Sequence, residues 1–327
     1  MVHLHGRLED GATFLIRDRR PRPHFYIRAS DADRARQLGI PAPEPTDQHD
    51  FAGAPVVRLQ VQIPAEVPAL RDRLHDAGID TYEADVRFAV RYLIQRGIKG
   101  GCEIEGEAIP GRSGVTWIFD EPQLRPAAVS MAPRVLAFDI ETDARGERLL
   151  AIALYGDDLD EVLIVDGSAR PMPERALRCQ DERQALSEFC QRVAQYDPDV
   201  ITGWNIVDFD LSVLQKIAER LRHPLPLGRE TGALRIRKAE GYFGSGNATI
   251  PGRLVLDGID LLRGAFIRME DYSLDAVARQ VLGEGKTSTS TGASALARSC
   301  TTIGTICPHS RSTHAPMHVW RCRSSPS

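Results

Sequence analysis

The sequence contains no apolar run near the ~20 residues needed to span a bilayer, and Met1 to Asp10 lack the apolar core of a secretory signal. No membrane partner is expected, and the expected location is cytoplasmic. A basic excess is also missing: 41 Lys and Arg against 45 Asp and Glu leave a formal net charge of −4. That excludes a DNA-packaging protein and restricts any nucleic-acid contact to local patches. The six cysteines are scattered, with Cys300, Cys307 and Cys322 near the end, which argues against a secreted disulfide scaffold. Acidic residues vanish after Lys286: residues 287–327 hold no Asp or Glu and show neither helical nor strand periodicity. Such a stretch is expected to be structureless, and its abrupt change of character is that of a frameshifted translation.

The rest of the chain divides in two. Residues 1–130 alternate short strand-like segments (Thr13 to Ile16, Phe25 to Ile27) with proline-rich breaks, as in a small α+β domain, and Arg125 to Pro133 read as a linker. Residues 131–286 are more regular. Runs at Val135 to Phe138, Leu149 to Tyr155 and Glu161 to Val165, joined by short turns, predict an antiparallel meander. Leu186, Phe189 and Val193 recur at helical spacing behind a capping Asp181, Asp197-Pro198 ends that helix, Val200 to Trp204 predict a fourth strand, and Leu211, Leu214, Ile217 or Ala218, and Leu221 a second helix. The fold class is α/β, with a ribonuclease-H-like second domain.

Asp139 and Glu141 lie two apart on the first strand of that domain, so they share one face while Ile140 takes the other. Adjacent carboxylates repel unless a cation neutralises them, and hard oxygen ligands suit Mg²⁺ or Mn²⁺; a solvated strand end accounts for the pair equally well. Asp210 falls near a helix start, where a carboxylate is also stabilised by the helix dipole. The dipole does not account for Asn205 and Phe209 beside it.

Phe138-Asp139-Ile140-Glu141-Thr142 and Asn205-x3-Phe209-Asp210 together resemble the first two motifs of the 3′→5′ proofreading exonuclease domain of family B DNA polymerases. Tyr196 to Asn205 and Leu282 to Lys286 are similar to the same family, and Tyr82 to Arg87 with Arg91-Tyr92-Leu93 look like the N-terminal domain of its bacterial polymerase II branch. The resemblance implies a DEDD exonuclease that hydrolyses phosphodiesters at a single-stranded DNA 3′ end with two Mg²⁺ or Mn²⁺ ions. It implies that Asp139 bridges both ions, Glu141 holds the ion that activates water, and Asp210 helps fix the ion at the departing oxygen. Ile140 and Thr142 would touch the terminal nucleotide, and Asn205 and Phe209 would hold the frayed strand.

The family's third motif, Tyr-x3-Asp, is missing after Lys286, as are the polymerase motifs, so a crippled fragment lacking its polymerase domain is expected. Tyr272-Ser273-Leu274-Asp275 has the wrong spacing and reads as the start of a helix with Leu274, Val277 and Val281 buried. Tyr155-Gly156-Asp157-Asp158 reads as a turn, Gly283 to Thr287 fall short of a phosphate loop, and the late Cys and His residues lack a zinc-site framework. Two alternatives stay open: a catalytically silent single-strand-binding module on the same fold, and an RNA-processing nuclease. Leu234 to Lys238 and Arg253 to Leu256 are expected to form a basic hairpin across the glycine-rich segment between them.

Overall fold

The computed structural model describes residues 1–40, 42–129, 131–169, 171–238, 246–282 and 320–323. Two units separate, residues 1–110 with 117–130 and 318–327, and residues 111–116 with 131–317.

The first unit is α+β. Strands β1 (Val2–Arg7) and β2 (Thr13–Asp18) form an antiparallel pair, and β3 (His24–Arg28) precedes α1 (Ala32–Gln37), β4 (Glu44–His49) and β5 (Pro55–Gln60). Helices α2 (Glu66–Asp76) and α3 (Phe88–Ile94) lead into β6 (Cys102–Glu105), β7 (Ala108–Pro110), β8 (Trp117–Asp120) and β9 (Gln123–Pro126). The strands assemble as sheets β1-β2-β8-β7 and β3-β5-β4, with β6 antiparallel to β9. Arg125 and Pro126 therefore belong to a strand and not to a linker, because their backbone pairs with Glu103 and Cys102. The expectation of a structureless tail lies outside the described residues except at Trp320–Arg323, which run as a strand parallel to β6.

The second unit is a six-stranded sheet between helices. Strands β10 (Val135–Thr142), β11 (Leu149–Tyr155) and β12 (Asp160–Val165) form the expected antiparallel meander. Strand β13 (Ala176–Cys179), which the sequence reading missed, adds parallel to β12. Helix α4 (Glu182–Tyr196) then crosses over to β14 (Val200–Gly203), which lies parallel to β10. A widened π-type turn (Ile206–Leu211) leads into α5 (Ser212–Leu221). After β15 (Arg235–Arg237) and β16 (Asn247–Thr249), strand β17 (Leu254–Asp257) pairs parallel with β14, giving the order β13-β12-β11-β10-β14-β17. Helices α6 (Gly258–Gly264) and α7 (Leu274–Leu282) follow. Among the described residues no helix is long and apolar enough to cross a membrane.

Strand alternation sorts the two faces. Leu136, Phe138 and Ile140 join Ile152, Leu154 and Leu163 under α4 and α5, where Leu186, Phe189, Val193, Leu214 and Ile217 complete the main core. Phe138 and Phe189 have ring centroids 5.0 Å apart. The opposite face carries Ala137, Asp139 and Glu141, and at Ala137 it is packed by Leu262 of α6 and Val277 of α7 together with Trp204. The expected burial of Val281 is not seen: Val281 is exposed, and Ala278 takes the inward position beside Val277.

Helix α4 begins where the side chain of Asp181 accepts the N–H of Gln184 at 2.8 Å and ends where Asp197 turns left-handed (φ 48°) before Pro198. Asp181→Ala is expected to cost about 1 kcal/mol, lowering Tm by ~2–4 °C in a thermal melt.

The expected hairpin changes partner. Arg235, Ile236 and Arg237 pair with Thr249, Ala248 and Asn247. Leu254, Val255 and Leu256 pair with Val200, Ile201 and Thr202 instead, because β17 extends the main sheet. Arg253 is buried in a salt bridge with Asp197, 2.8 Å away, and so is no solvent-facing hairpin cation.

Candidate active site

Three parallel strands, β10, β14 and β17, end on the same edge of the sheet, with Asp139 and Glu141 near the end of β10, Asp210 in the turn after β14 and Asp257 at the end of β17. Ligands of open α/β sheets collect outside such carboxyl ends. Strand β14 pairs with β10 as far as Ala137↔Thr202, and beyond that point the Ile140 N–H of β10 is taken by Asp210 instead of by β14, so the two strands part there. Gly203 lies at the parting: a Cβ there would come within 2.6 Å of the Phe138 carbonyl oxygen, so the chain can turn tightly against β10 only with glycine.

On β10, Asp139 is half-buried and Glu141 exposed, on the face away from Ile140. They lie opposite Ala153 and Ala151 of β11, which are buried beside Val162. Ile140 is 4% exposed within the main core. Its side chain is thus committed to packing, and its backbone N–H meets the Asp210 carboxylate. Thr142 is half-buried, with its hydroxyl donating to the Asp143 carbonyl at 3.1 Å.

The widened turn brings in the third carboxylate. Asn205, left-handed at φ 58°, reverses the chain after β14, and Ile206, Val207 and Leu211 anchor the turn in the core. Asn205 and Phe209 remain exposed, whereas Asp210 is 1% exposed. Asp210 Oδ1 accepts the N–H of Ile140 at 3.0 Å, so its carboxylate docks on the residue between Asp139 and Glu141. Burial, reinforced by the nearby Asp139 and by Asp257, pushes the Asp210 carboxyl well above the usual carboxylate range. As they stand, Asp139, Glu141 and Asp210 do not bring ligand atoms all within 4.8 Å of one another.

Asp257 is the acidic residue the sequence reading missed. It ends β17, is 8% exposed, and its Oδ1 accepts the Ile259 N–H at 2.9 Å, capping α6. Asp-Gly-Ile-Asp directly after an apolar strand is a cap signal that could have drawn attention to it.

The decoys have structural uses. Tyr155-Gly156-Asp157-Asp158 makes the β11–β12 turn, with the Gly156 N–H donating to the Leu159 carbonyl and the Asp157 N–H to the Tyr196 hydroxyl. Tyr272 donates its hydroxyl to the Ile267 carbonyl at 3.0 Å and accepts at its own carbonyl from Trp204 Nε1, while Asp275 pairs with Arg279 at 2.7 Å. No thiolate nucleophile is at hand among the second unit's described cysteines, since burial raises Cys179 to about 11 and Cys190 to about 12. The segment Gly283 to Thr287 lies outside the described residues, as do the late Cys and His residues except Cys322, which falls in the strand Trp320–Arg323.

Residues 79–277 match the model of the DNA polymerase family B exonuclease domain. The chain is 34% identical over 281 residues to DNA polymerase II of Escherichia coli K12, covering 85% of this chain and 34% of that protein. It is 28% identical over 274 residues to a DNA polymerase of Archaeoglobus fulgidus, covering 77% and 32% respectively. The solved family B DNA polymerase of Pyrobaculum calidifontis superposes with a TM-score of 0.67 at 25% identity, over 85% of this chain and 37% of that one. The chain thus spans about a third of the length of these relatives.

Proposed function

The chain belongs to the family B DNA polymerase exonuclease-domain family, and from that premise we propose that its second unit is a 3′→5′ exonuclease site, part of a polymerase-II-like proofreading protein. The observation that carries the proposal is the docking of Asp210 on the Ile140 backbone, which sets a buried carboxylate beside the Asp139–Glu141 pair.

The residues suit hard divalent cations. Asp210 is buried with like-charged neighbours and a backbone N–H as its hydrogen-bond partner, and all three side chains are oxygen donors. Asp139, Glu141 and Asp210 would hold Mg²⁺ or Mn²⁺, which would offset the charge that an in-line displacement develops on the attacking and leaving oxygens. In the net reaction water adds to the terminal phosphorus, the bond to the 3′ oxygen breaks, and a nucleoside 5′-monophosphate leaves a new 3′ hydroxyl. Phe209, 41% exposed on the turn, offers a ring on which a frayed base can stack, with Asn205 beside it. Thr142 and the Ile140 backbone would border the terminal nucleotide. DNA is the proposed partner, in the cytoplasm.

The test is a 5′-labelled single strand offered as DNA and as RNA, with free and blocked 3′ ends, in Mg²⁺ and in Mn²⁺. DNA shortened stepwise from the free 3′ end supports the proposal. Preferential shortening of RNA would make this an RNA-processing nuclease, and binding without any release a silent single-strand-binding module.

The β15–β16 hairpin lies against the same turn: a Cβ on Gly246 would come within 2.5 Å of Asp208 Oδ1. Arg235, Arg237 and Lys238 are exposed on it. Replacing all three with alanine is expected to weaken single-strand binding and to reduce the salt slope by up to about two units, at ~0.7 per phosphate contact. Unchanged binding at low salt would reduce the hairpin to a defended sheet edge.

A further inference from the structure

We propose that Asp257 is a positioning residue of the proposed exonuclease site: it anchors the front of the turn that carries Asn205, Phe209 and Asp210, so that the Asp210 carboxylate stays aimed at the acidic pair. The proposal rests on the reading of that site given above. Asp257 lies directly across from Gly203 in the β14–β17 ladder, one residue before Trp204 and two before Asn205. Besides the Ile259 N–H on Oδ1, its Oδ2 accepts the Val207 N–H at 3.3 Å. The turn is therefore held at both ends by carboxylates. Asp210 ties its back to β10, and Asp257 ties its front to β17.

Holding N–H groups of two separate segments takes two acceptor oxygens on one rigid fork. Asparagine supplies one oxygen and presents an NH₂ where the second N–H must bind. Serine still caps a helix, through its hydroxyl, but is too short to span from α6 to the Val207 N–H. Both Asp257→Asn and Asp257→Ser thus keep a cap on α6 while releasing the turn, which separates a fold-supporting role from a positioning one.

The experiment titrates the full chain with Mn²⁺, followed by the electron paramagnetic resonance signal of the free ion, in the wild type, Asp257→Asn, Asp257→Ser and Asp139→Ala. The circular dichroism spectrum of each protein is recorded at the same temperature. Supporting partners of metal ligands are worth about 10–100-fold in metal affinity, so both Asp257 variants are expected to bind Mn²⁺ ~10–100-fold more weakly with unchanged spectra. Wild-type affinity in both variants would overturn the inference alone, leaving the site intact. Unfolding of both would also overturn it, since Asp257 would then support the fold and not the aim of the turn. A wild type that binds Mn²⁺ no better than Asp139→Ala would overturn the reading of the site itself, and the inference with it.

Discussion

Asp210→Asn is expected to lower nucleotide release by more than ~100-fold and, in metal-free buffer at pH 7, to raise Tm. Both effects come from one buried carboxylate. Partners that merely support a metal ligand are worth about 10–100-fold, so the loss of a ligand should exceed that. Asparagine keeps an oxygen for the Ile140 N–H but removes the charge that Asp139 and Asp257 oppose. The folded carboxyl titrates above its unfolded value of about 3.9, so folding favours its protonated form. It therefore costs no stability below about pH 4 and destabilises the fold progressively as pH rises through its folded value. Melts from pH 4 to 8 should show a gain of roughly 1–3 kcal/mol for the variant at pH 7 and none at pH 4. An equal Tm at both pH values would mean that Asp210 is already neutralised by another group.

The sequence made the meander, α4 with its cap, and the acidic pair legible because each is written in local periodicity: two-residue alternation for Asp139 and Glu141, helical spacing for Leu186, Phe189 and Val193. What it concealed is non-local. Leu254-Val255-Leu256 looks like half of a hairpin until its true partner, Val200 to Thr202 on the far side of α5, is known. Asn247–Thr249 holds a single apolar residue and carries no visible strand pattern. The π-type turn and Asp257 were hidden for the same reason, since their meaning lies in hydrogen bonds between segments about fifty residues apart. Ile140 shows the converse: its contact with the terminal nucleotide is implied by the motif resemblance, whereas alternation sets its side chain on the face opposite the acids, and that side chain is buried.

The second large effect concerns the third motif. No tyrosine occurs in residues 287–327, so Tyr-x3-Asp is not among them. A chain in which the sequence after Lys286 is replaced by an in-frame continuation carrying that motif is expected to release nucleotides at least ~100-fold faster, about 2.7 kcal/mol of added transition-state stabilisation. The two-ion arrangement needs both ions held about 3.5–4 Å apart, and the added carboxylate would complete their ligands. The coding DNA beyond Lys286 should contain that continuation in another reading frame. Equal rates for the two chains, or no such frame, would contradict this account of the tail.

The most direct test of the central claim, that Asp139, Glu141 and Asp210 form a 3′→5′ exonuclease site, is single-turnover release of a 3′-terminal labelled nucleotide from single-stranded DNA in Mn²⁺. The full chain, in excess over DNA, is compared with Asp139→Ala. Release that is slow in the wild type and absent in the variant is the predicted result. Wild-type release no faster than that of Asp139→Ala would contradict the claim.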